Sequence, residues 1–281
     1  MNNKGALGTL AVLAAIILVG AFGYHWYKGR EDAAMAPEPV DTRPPPEPPQ
    51  PPQYPVPQSP PQASAESESK PAAGPLPDLG TSDAPFRSSV EALTGSAPLE
   101  AFLVPDGVIR KLVVSIDNLS DSTLGMRFRA IKKIDGDFAV ETRGDAIYLS
   151  SENYARYDRA VNTLEAVDTG SLVALYFRYY PLFQEAYKDL GYPSRYFNDR
   201  VIDIIDHLLA TPDVSGSVEL VRPKVLYQYK DPDLESLSVG QKTLIRMGPE
   251  HAASVKAKLR EIRKAIIAGT RERGEPASSA G

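Results

Sequence analysis

A proline-rich stretch near the N-terminus is the feature that most restricts how this chain can fold. Of the 26 prolines in the sequence, 16 lie within residues 37–77. Proline lacks a backbone N–H and favours extended backbone in the residue before it, so such a stretch adopts polyproline II conformation instead of packing into a core. We therefore expect residues 31–80 to form a disordered, proline-rich linker that acts as a spacer.

An apolar run precedes this linker. Residues 5–27 contain no acidic or basic side chain apart from His25. A helix needs about 20 apolar residues to cross a bilayer, and the aromatic residues that close the run before Lys28 are typical of a membrane interface. Residues 1–30 are therefore predicted to be a single transmembrane anchor that contacts the lipid bilayer through residues 5–27. A signal peptide that is cleaved at the small residues Val19-Gly20-Ala21 is the alternative.

The short N-terminus also bears on localisation. A few residues ahead of a first transmembrane helix usually stay in the cytoplasm, although the flanking charges, Lys4 on one side and Lys28 with Arg30 on the other, are weak signals. The prediction is an inner (cytoplasmic) membrane protein with a periplasmic C-terminal domain. The sequence contains no cysteine, which excludes a disulfide framework and a thiol nucleophile.

Residues 81–268 have the composition of one folded domain, and residues 269–281 are predicted to be a disordered tail. Apolar side chains recur at helical spacing through most of the domain. Alternation around Gly144 predicts a β-hairpin, and residues 217–229 are the most ambiguous piece, compatible with an extended segment. The predicted fold class is mainly α, a helical globular domain with a small β-hairpin or extended segments. The predicted helices cover residues 83–94, 106–119, 151–168, 171–190, 195–210 and 249–268.

Several long strings in this domain resemble a known family. They are ENYARYD, YYPLFQEAYKDLGYP, YFNDRVIDIIDHLLATPD, VELVRPKVLYQYKDPDLESLSVGQKTLIRMG and VKAKLREIRKAI. In this order, over about residues 85–267, they resemble the bacterial domain of unknown function 3014 family. The resemblance implies an N-terminal membrane segment, a proline-rich spacer and one C-terminal domain. It implies no activity and supplies no catalytic residue.

Two sets of side chains in the predicted helices are candidates for function. One is an aromatic stripe on a single helix face, for which a core position is favoured over an exposed platform for glycans or proline-rich peptide; it comprises Tyr176, Tyr179, Tyr180, Phe183 and Tyr187. The other is an acidic row in which Asp199, Asp203 and His207 are spaced by four, with Asp206 beside them. Two carboxylates and an imidazole on one face can bind a metal. The other interpretation, a solvated helix face, is favoured.

The last candidate is a basic stretch. Residues 242–264 carry seven basic and two acidic side chains. One face of the last helix can contact anionic lipid or another acidic polymer, or its cations can complement the helix dipole and pair with the acidic body of the domain. The candidate interaction surface consists of Lys256, Lys258, Arg260, Arg263 and Lys264.

These observations favour binding over catalysis. No nucleotide-binding or hydrolase motif is present in the folded part, and no catalytic, cofactor-binding or metal residue and no cofactor is predicted. The formal net charge of −5 argues against a nucleic-acid partner. The leading hypothesis is a binding or scaffold module in the bacterial cell envelope, whose partner is an unknown envelope protein or polymer. The alternative is an envelope hydrolase or metal-dependent enzyme that uses Asp199, Asp203 and His207. The oligomeric state stays open.

Overall fold

Helices make up most of the chain that the computed structural model describes, which comprises residues 51–56, 75–94, 104–122, 130, 137–224 and 226–274. This confirms the mainly α class. Two short 3-10 turns cover Leu79–Thr81 and Asn118–Ser120. The α-helices of the described residues are α1 (Asp83–Thr94), α2 (Val108–Asp117), α3 (Glu152–Ala155), α4 (Asp158–Glu165), α5 (Thr169–Asp189), α6 (Phe197–Leu209), α7 (Pro232–Ser236), α8 (Val239–Arg246) and α9 (Pro249–Gly274).

Helix α5 lies at the centre of the domain and contacts α1, α2, α6 and α9. Its aromatic stripe is buried, with each of the five side chains no more than 3% exposed. The core position of this stripe is thus confirmed. Phe183 is fully buried, and its ring lies 6.0 Å from Phe86, 5.7 Å from Tyr176 and 5.8 Å from Phe197. These rings join α1, α5 and α6 into one apolar core.

A small antiparallel sheet forms the second part of the domain. Its strands are β1 (Val140–Arg143), β2 (Ala146–Leu149), β3 (Glu219–Val221) and β4 (Gln228–Tyr229), in that spatial order. The predicted hairpin is confirmed: Arg143 pairs with Ala146, and Gly144 between them has a φ of +61°, which glycine adopts without strain. Residues 217–229 supply β3 and β4. A smaller apolar cluster beneath the sheet comprises Leu149, Val218, Leu220, Tyr229 and Ile245.

The structure differs from the prediction in two ranges. Residues 151–168 were predicted as one helix, and no helix was predicted for residues 237–247. The first range holds α3 and α4, which are separated where Tyr157 turns into the core and becomes fully buried. The second holds α8, which was not predicted. All eight residues of α8 are buried, Lys242 and Arg246 included. Its eight residues make about two turns, which is shorter than the window in which a helical period is recognised in a sequence.

The last helix extends beyond the predicted domain boundary at residue 268. Helix α9 continues to Gly274, and Thr270 is only 4% exposed. Gly269 allows the close packing, because a Cβ atom at this position would lie 2.5 Å from a ring atom of Phe177. The first residues of the predicted tail, 269–281, therefore belong to the folded domain.

The predicted anchor, residues 1–30, lies outside the described residues. Among the helices that are described, none combines the length and the apolar character that crossing a membrane requires. The predicted linker, residues 31–80, is described at two stretches. Residues 51–56 lie against the domain, and Leu79 is 7% exposed within the main core. The linker therefore contacts the domain through residues 51–56 and Leu79, in contrast to the prediction of a disordered linker.

Candidate functional site

The proline-rich segment 51–56 docks on the N-terminal end of α6. The backbone N–H groups of Gln53 and Tyr54 donate to the two carboxylate oxygens of Asp199, at 3.0 and 2.8 Å. The Nδ2 atom of Asn198 donates to the carbonyl oxygen of Tyr54 at 2.9 Å. All three hydrogen bonds engage the main chain of the segment. The docking therefore depends on backbone conformation as much as on side-chain identity.

Two side chains of the segment add apolar contacts. Val56 is 9% exposed and belongs to the main core, and Tyr54 is partly buried against the same core. Burial of a valine side chain contributes about 1.5–3 kcal/mol. Hydrogen bonds to a charged group such as the Asp199 carboxylate contribute about 1.5–3 kcal/mol. Polar and apolar contributions to docking are thus of similar size.

The prolines of the segment suit this arrangement. Three of its six residues are prolines, so backbone N–H groups remain only at Gln53, Tyr54 and Val56. Asp199 accepts two of these three donors. The chain bends at Gln53 and Tyr54, which turns these two successive N–H groups toward the same carboxylate. The flanking prolines restrict the backbone on either side of the bend, so less conformational entropy is lost on docking.

Asn198 is held in place by the core beneath it. The side chain is fully buried, and its Oδ1 atom accepts a hydrogen bond from the Tyr176 hydroxyl at 3.0 Å. Burial raises the pKa of Tyr176 well above its ordinary value, so the hydroxyl keeps its proton and remains a donor. With Oδ1 engaged in this way, Nδ2 is directed at Tyr54. The amide is thus positioned before the segment arrives.

The start of α6 is fixed by a second buried amide. Gln184 of α5 is 4% exposed, and its Oε1 atom accepts from the Phe197 backbone N–H at 2.8 Å and from the Tyr180 hydroxyl at 2.9 Å. Its Nε2 atom donates to the Arg195 carbonyl at 2.8 Å. The Phe197 N–H is one of the donors that a helix leaves unsatisfied at its first turn. Gln184 therefore anchors the end of α6 that carries Asn198 and Asp199.

The acidic row is divided among separate partners. Asp199 binds the segment, Asp206 binds Arg263 through two hydrogen bonds of 2.6 and 2.9 Å, and His207 Nε2 lies 2.8 Å from Ser238 Oγ. Asp203 is exposed. Across the ranges that the structure describes, no three His, Asp or Glu side chains are grouped so that they could hold a metal ion. The geometry therefore does not bring Asp199, Asp203 and His207 together as a metal centre.

The basic residues of α9 also separate into two sets. Lys256 is 6% exposed, and its Nζ donates to the Thr211 carbonyl at 2.6 Å and to Asp213 Oδ1 at 2.7 Å. Lys258 Nζ donates to the Val167 carbonyl at 2.7 Å. These two lysines tie α9 to the turns that follow α6 and α4. They are structural, as the alternative reading of the basic stretch expected.

The other members of the basic set border an open cavity between α6 and α9. The cavity measures about 660 Å³, and Arg260 and Lys264 are exposed at its edge. The pKa of Arg263 is raised, mainly by its hydrogen bond to Asp206. Asp199, which binds the segment, and Asp206, which lines the cavity, lie seven residues apart on one face of α6, so the segment and the cavity are neighbours along this helix. The cavity is lined by Asp206, Leu209, Arg260, Arg263, Lys264, Ile267 and Ala268.

Several residues of this site were not identified from the sequence. Asn198 and Gln184 were passed over, and residues 51–56 were assigned to the linker. A signal for the segment was present: between residues 41 and 75, Tyr54 and Val56 are the only aromatic or large aliphatic side chains. A linker that acts as a spacer alone has no need of them. Their isolation marks the place where the linker contacts a folded surface.

We expect the free energy of unfolding to fall as the pH drops below about 6.5, because of His207. Burial, and to a smaller extent the nearby Arg200, lowers the pKa of His207 from its ordinary value of about 6.5. The unfolded state then binds more protons than the folded state in this range, so acid destabilises the fold. Urea unfolding of the wild type and of His207→Gln at about pH 7.5 and 5.5 measures this. The variant is expected to show a weaker pH dependence, and an unchanged dependence would contradict the assignment.

The described residues thus define a class of protein: a mainly helical domain with a small antiparallel sheet, which carries a bent, proline-rich segment on its surface. A family model described as "Protein of unknown function (DUF3014)" matches residues 108–263, which is more than half of the chain. The chain belongs to this family. The matched range begins with α2 and ends within α9, so the docked segment lies outside it. Neither the curated proteins nor the solved structures provided a match.

Proposed function

We propose that this chain is a single-pass membrane protein whose extracytoplasmic domain acts as a binding or scaffold module in the bacterial cell envelope. Residues 5–27 cross the inner membrane, and the helical domain lies on the periplasmic side. The observation that best supports a binding role is the docking of residues 51–56 on Asn198 and Asp199. A surface that holds one proline-rich segment by its backbone is suited to holding another.

The residues around the cavity beside the docked segment indicate which chemical groups an envelope partner presents to it. Arg260 and Lys264 are exposed there, whereas Arg263 is paired with Asp206. The floor between these cations is apolar, with Leu209, Ile267 and Ala268 among the lining residues. Such a surface favours a protein or polymer that presents acidic groups next to apolar ones.

The docked segment also bears on how far the domain stands from the membrane. Residues 28–50 connect the predicted anchor to the docked segment, and in polyproline II conformation they reach at most about 70 Å. Release of the segment would make residues 28–78 available and extend the reach to about 160 Å. The linker then works as a spacer of two lengths, which supports the role of an adaptor on an arm.

Crosslinking in living cells followed by purification of the full chain tests the binding role. We expect a reproducible envelope partner with the wild type and a several-fold loss with Lys264→Glu, because the charge reversal opposes an acidic partner at the cavity. Lys224→Glu is the matched control, since Lys224 is also exposed but lies in the connection between β3 and β4. Equal recovery with Lys264→Glu and the wild type would refute the assignment of this surface.

The membrane topology is tested separately with reporters fused to the C-terminus. A reporter that is active only in the periplasm is expected to be active, and one that is active only in the cytoplasm is expected to be silent. The opposite pattern would overturn the envelope assignment.

A further inference from the structure

We infer that the N-terminal end of α6 is a recognition site for bent, proline-rich peptide, and that it accepts residues 51–56 of a second copy of this chain as well as its own. This deepens the proposed function and rests on it, since it names one partner of the binding module. The α6 peptide site consists of Asn198, Asp199 and the apolar surface that covers Val56.

The site binds the peptide in one defined register. Two successive N–H groups, at Gln53 and Tyr54, bind one carboxylate, and the Tyr54 carbonyl binds one amide. Val56, two residues further on, enters the core. Tyr54 is partly buried against the same core, so both side chains contact the domain. The ligand is therefore a proline-rich peptide that bends at its aromatic residue and in which this residue and an aliphatic residue flank a proline.

The linker contains one such ligand. Between residues 41 and 75, the only aromatic and large aliphatic side chains are Tyr54 and Val56, although prolines occur through most of this range. The rest of this range contains no side chain that could fill the apolar surface. A neighbouring copy therefore presents the same single segment, in the same register.

The length of the connection permits exchange between copies. Eighteen residues, 57–74, link Val56 to Pro75, and they can span up to about 60 Å. This reach allows the segment to bind its own domain or that of an adjacent copy. Docking in the same chain benefits from an effective concentration in about the millimolar range, so it prevails in dilute solution. Crowding of copies raises the competing concentration, and exchange of an identical element then links two chains at low cost.

Two complementary variants of the full chain test this. Val56→Asp disables the segment but leaves the site intact, whereas Asp199→Ala disables the site but leaves the segment intact. Each variant alone is expected to be monomeric. Mixed in equal amounts, they are expected to form a complex of one copy each, because the free segment of Asp199→Ala binds the free site of Val56→Asp. Light scattering coupled to size-exclusion chromatography measures the doubling of mass.

Matched controls isolate the two contacts. Asp203→Ala replaces Asp199→Ala in one mixture; Asp203 is an exposed carboxylate one helical turn away, so its segment stays docked and no complex is expected. Gln53→Ala replaces Val56→Asp in another, because the Gln53 side chain is exposed and only its backbone N–H is bound. A complex in either control mixture would overturn the proposed exchange.

A labelled peptide of residues 50–58 provides a direct measurement of affinity. We expect it to bind the full chain carrying Val56→Asp at least tenfold more tightly than the wild type, whose site is filled by its own segment. Proline in place of Gln53 in the peptide removes the N–H that binds Asp199 and is expected to weaken binding at least fivefold. Equal binding to the wild type, Val56→Asp and Asp199→Ala would refute the site itself.

The remaining outcomes are also decisive. Should Val56→Asp fail to fold, the full chain with Gln53→Pro replaces it, since this change removes one donor and leaves both apolar side chains. Peptide binding without a mixed complex would overturn the second copy as the ligand source. These measurements use the purified chain and no envelope partner, so their failure is distinguishable from failure of the crosslinking experiment.

Discussion

Replacement of Glu235 by alanine is expected to lower the free energy of unfolding by about 3 kcal/mol or more, since it removes the carboxylate that pairs with a buried lysine. The Lys242 side chain is 9% exposed, and its Nζ lies 2.9 Å from Glu235 Oε1. The other carboxylate oxygen accepts the Tyr229 backbone N–H at 2.9 Å. One carboxylate on α7 therefore connects β4 to α8, and its loss affects both.

Lys242→Met is the matched control for this prediction. It removes the buried charge together with the need for a partner, so we expect it to cost less than Glu235→Ala. For the same reason, the double variant is expected to be more stable than Glu235→Ala alone. Urea unfolding of the four proteins measures the free energies and the coupling between the two positions. Equal losses for the two single variants would contradict the buried-charge explanation.

Replacement of Phe183 by alanine is expected to lower the free energy of unfolding by about 3–5 kcal/mol. The side chain is fully buried among the rings of Phe86, Tyr176 and Phe197. Removal of the ring leaves a cavity that the three surrounding helices cannot fill without moving. Since the free energy of unfolding of a domain is about 5–15 kcal/mol, this single change removes a large part of it.

Phe183→Leu is the control, because leucine retains most of the buried apolar surface and is expected to cost less than half as much. The same pair of variants tests how far the peptide site depends on the core. Phe197 packs on Phe183 and directly precedes Asn198. We therefore expect Phe183→Ala to weaken docking of residues 51–56, measured as faster proteolysis of the segment, while Phe183→Leu preserves it. A loss below about 1 kcal/mol for Phe183→Ala would show that the core relaxes around the missing ring.

The sequence predicted the longer helices best. The predicted helix 83–94 coincides with α1, and α5 and α6 each begin and end within two residues of their predicted bounds. Prediction was wrong for a short helix. Helix α8 has eight residues, fewer than a helical period needs to be recognised, and its basic residues were counted with the last helix. The break between α3 and α4 depends on burial of Tyr157, which spacing alone does not reveal.

In the candidate site, the sequence predicted which side chains share a helix face but not what they contact. The spacing of Asp199, Asp206 and His207 placed them on neighbouring turns of one helix, as the structure has them. Each contacts a different partner in the structure. Asp199 contacts the linker segment, Asp206 contacts α9, and His207 contacts Ser238, the N-cap residue of α8. Likewise, Lys256 was expected on an interaction surface and instead lies buried against the Thr211 carbonyl. A helical period fixes which side chains share a face, and it carries no information on what covers that face.

The sequence by itself determined the helical class of the domain and the core position of the tyrosines in α5. These properties follow from residues that are close together in the chain, through helical spacing. Only the tertiary structure decided that part of the linker docks on α6. The hydrogen bond from Tyr54 to Asp199 joins residues 145 positions apart, and it exists because Tyr176 and Gln184, on another helix, hold the start of α6 in place. Contacts of this range depend on how the helices pack, which no local pattern of residues encodes.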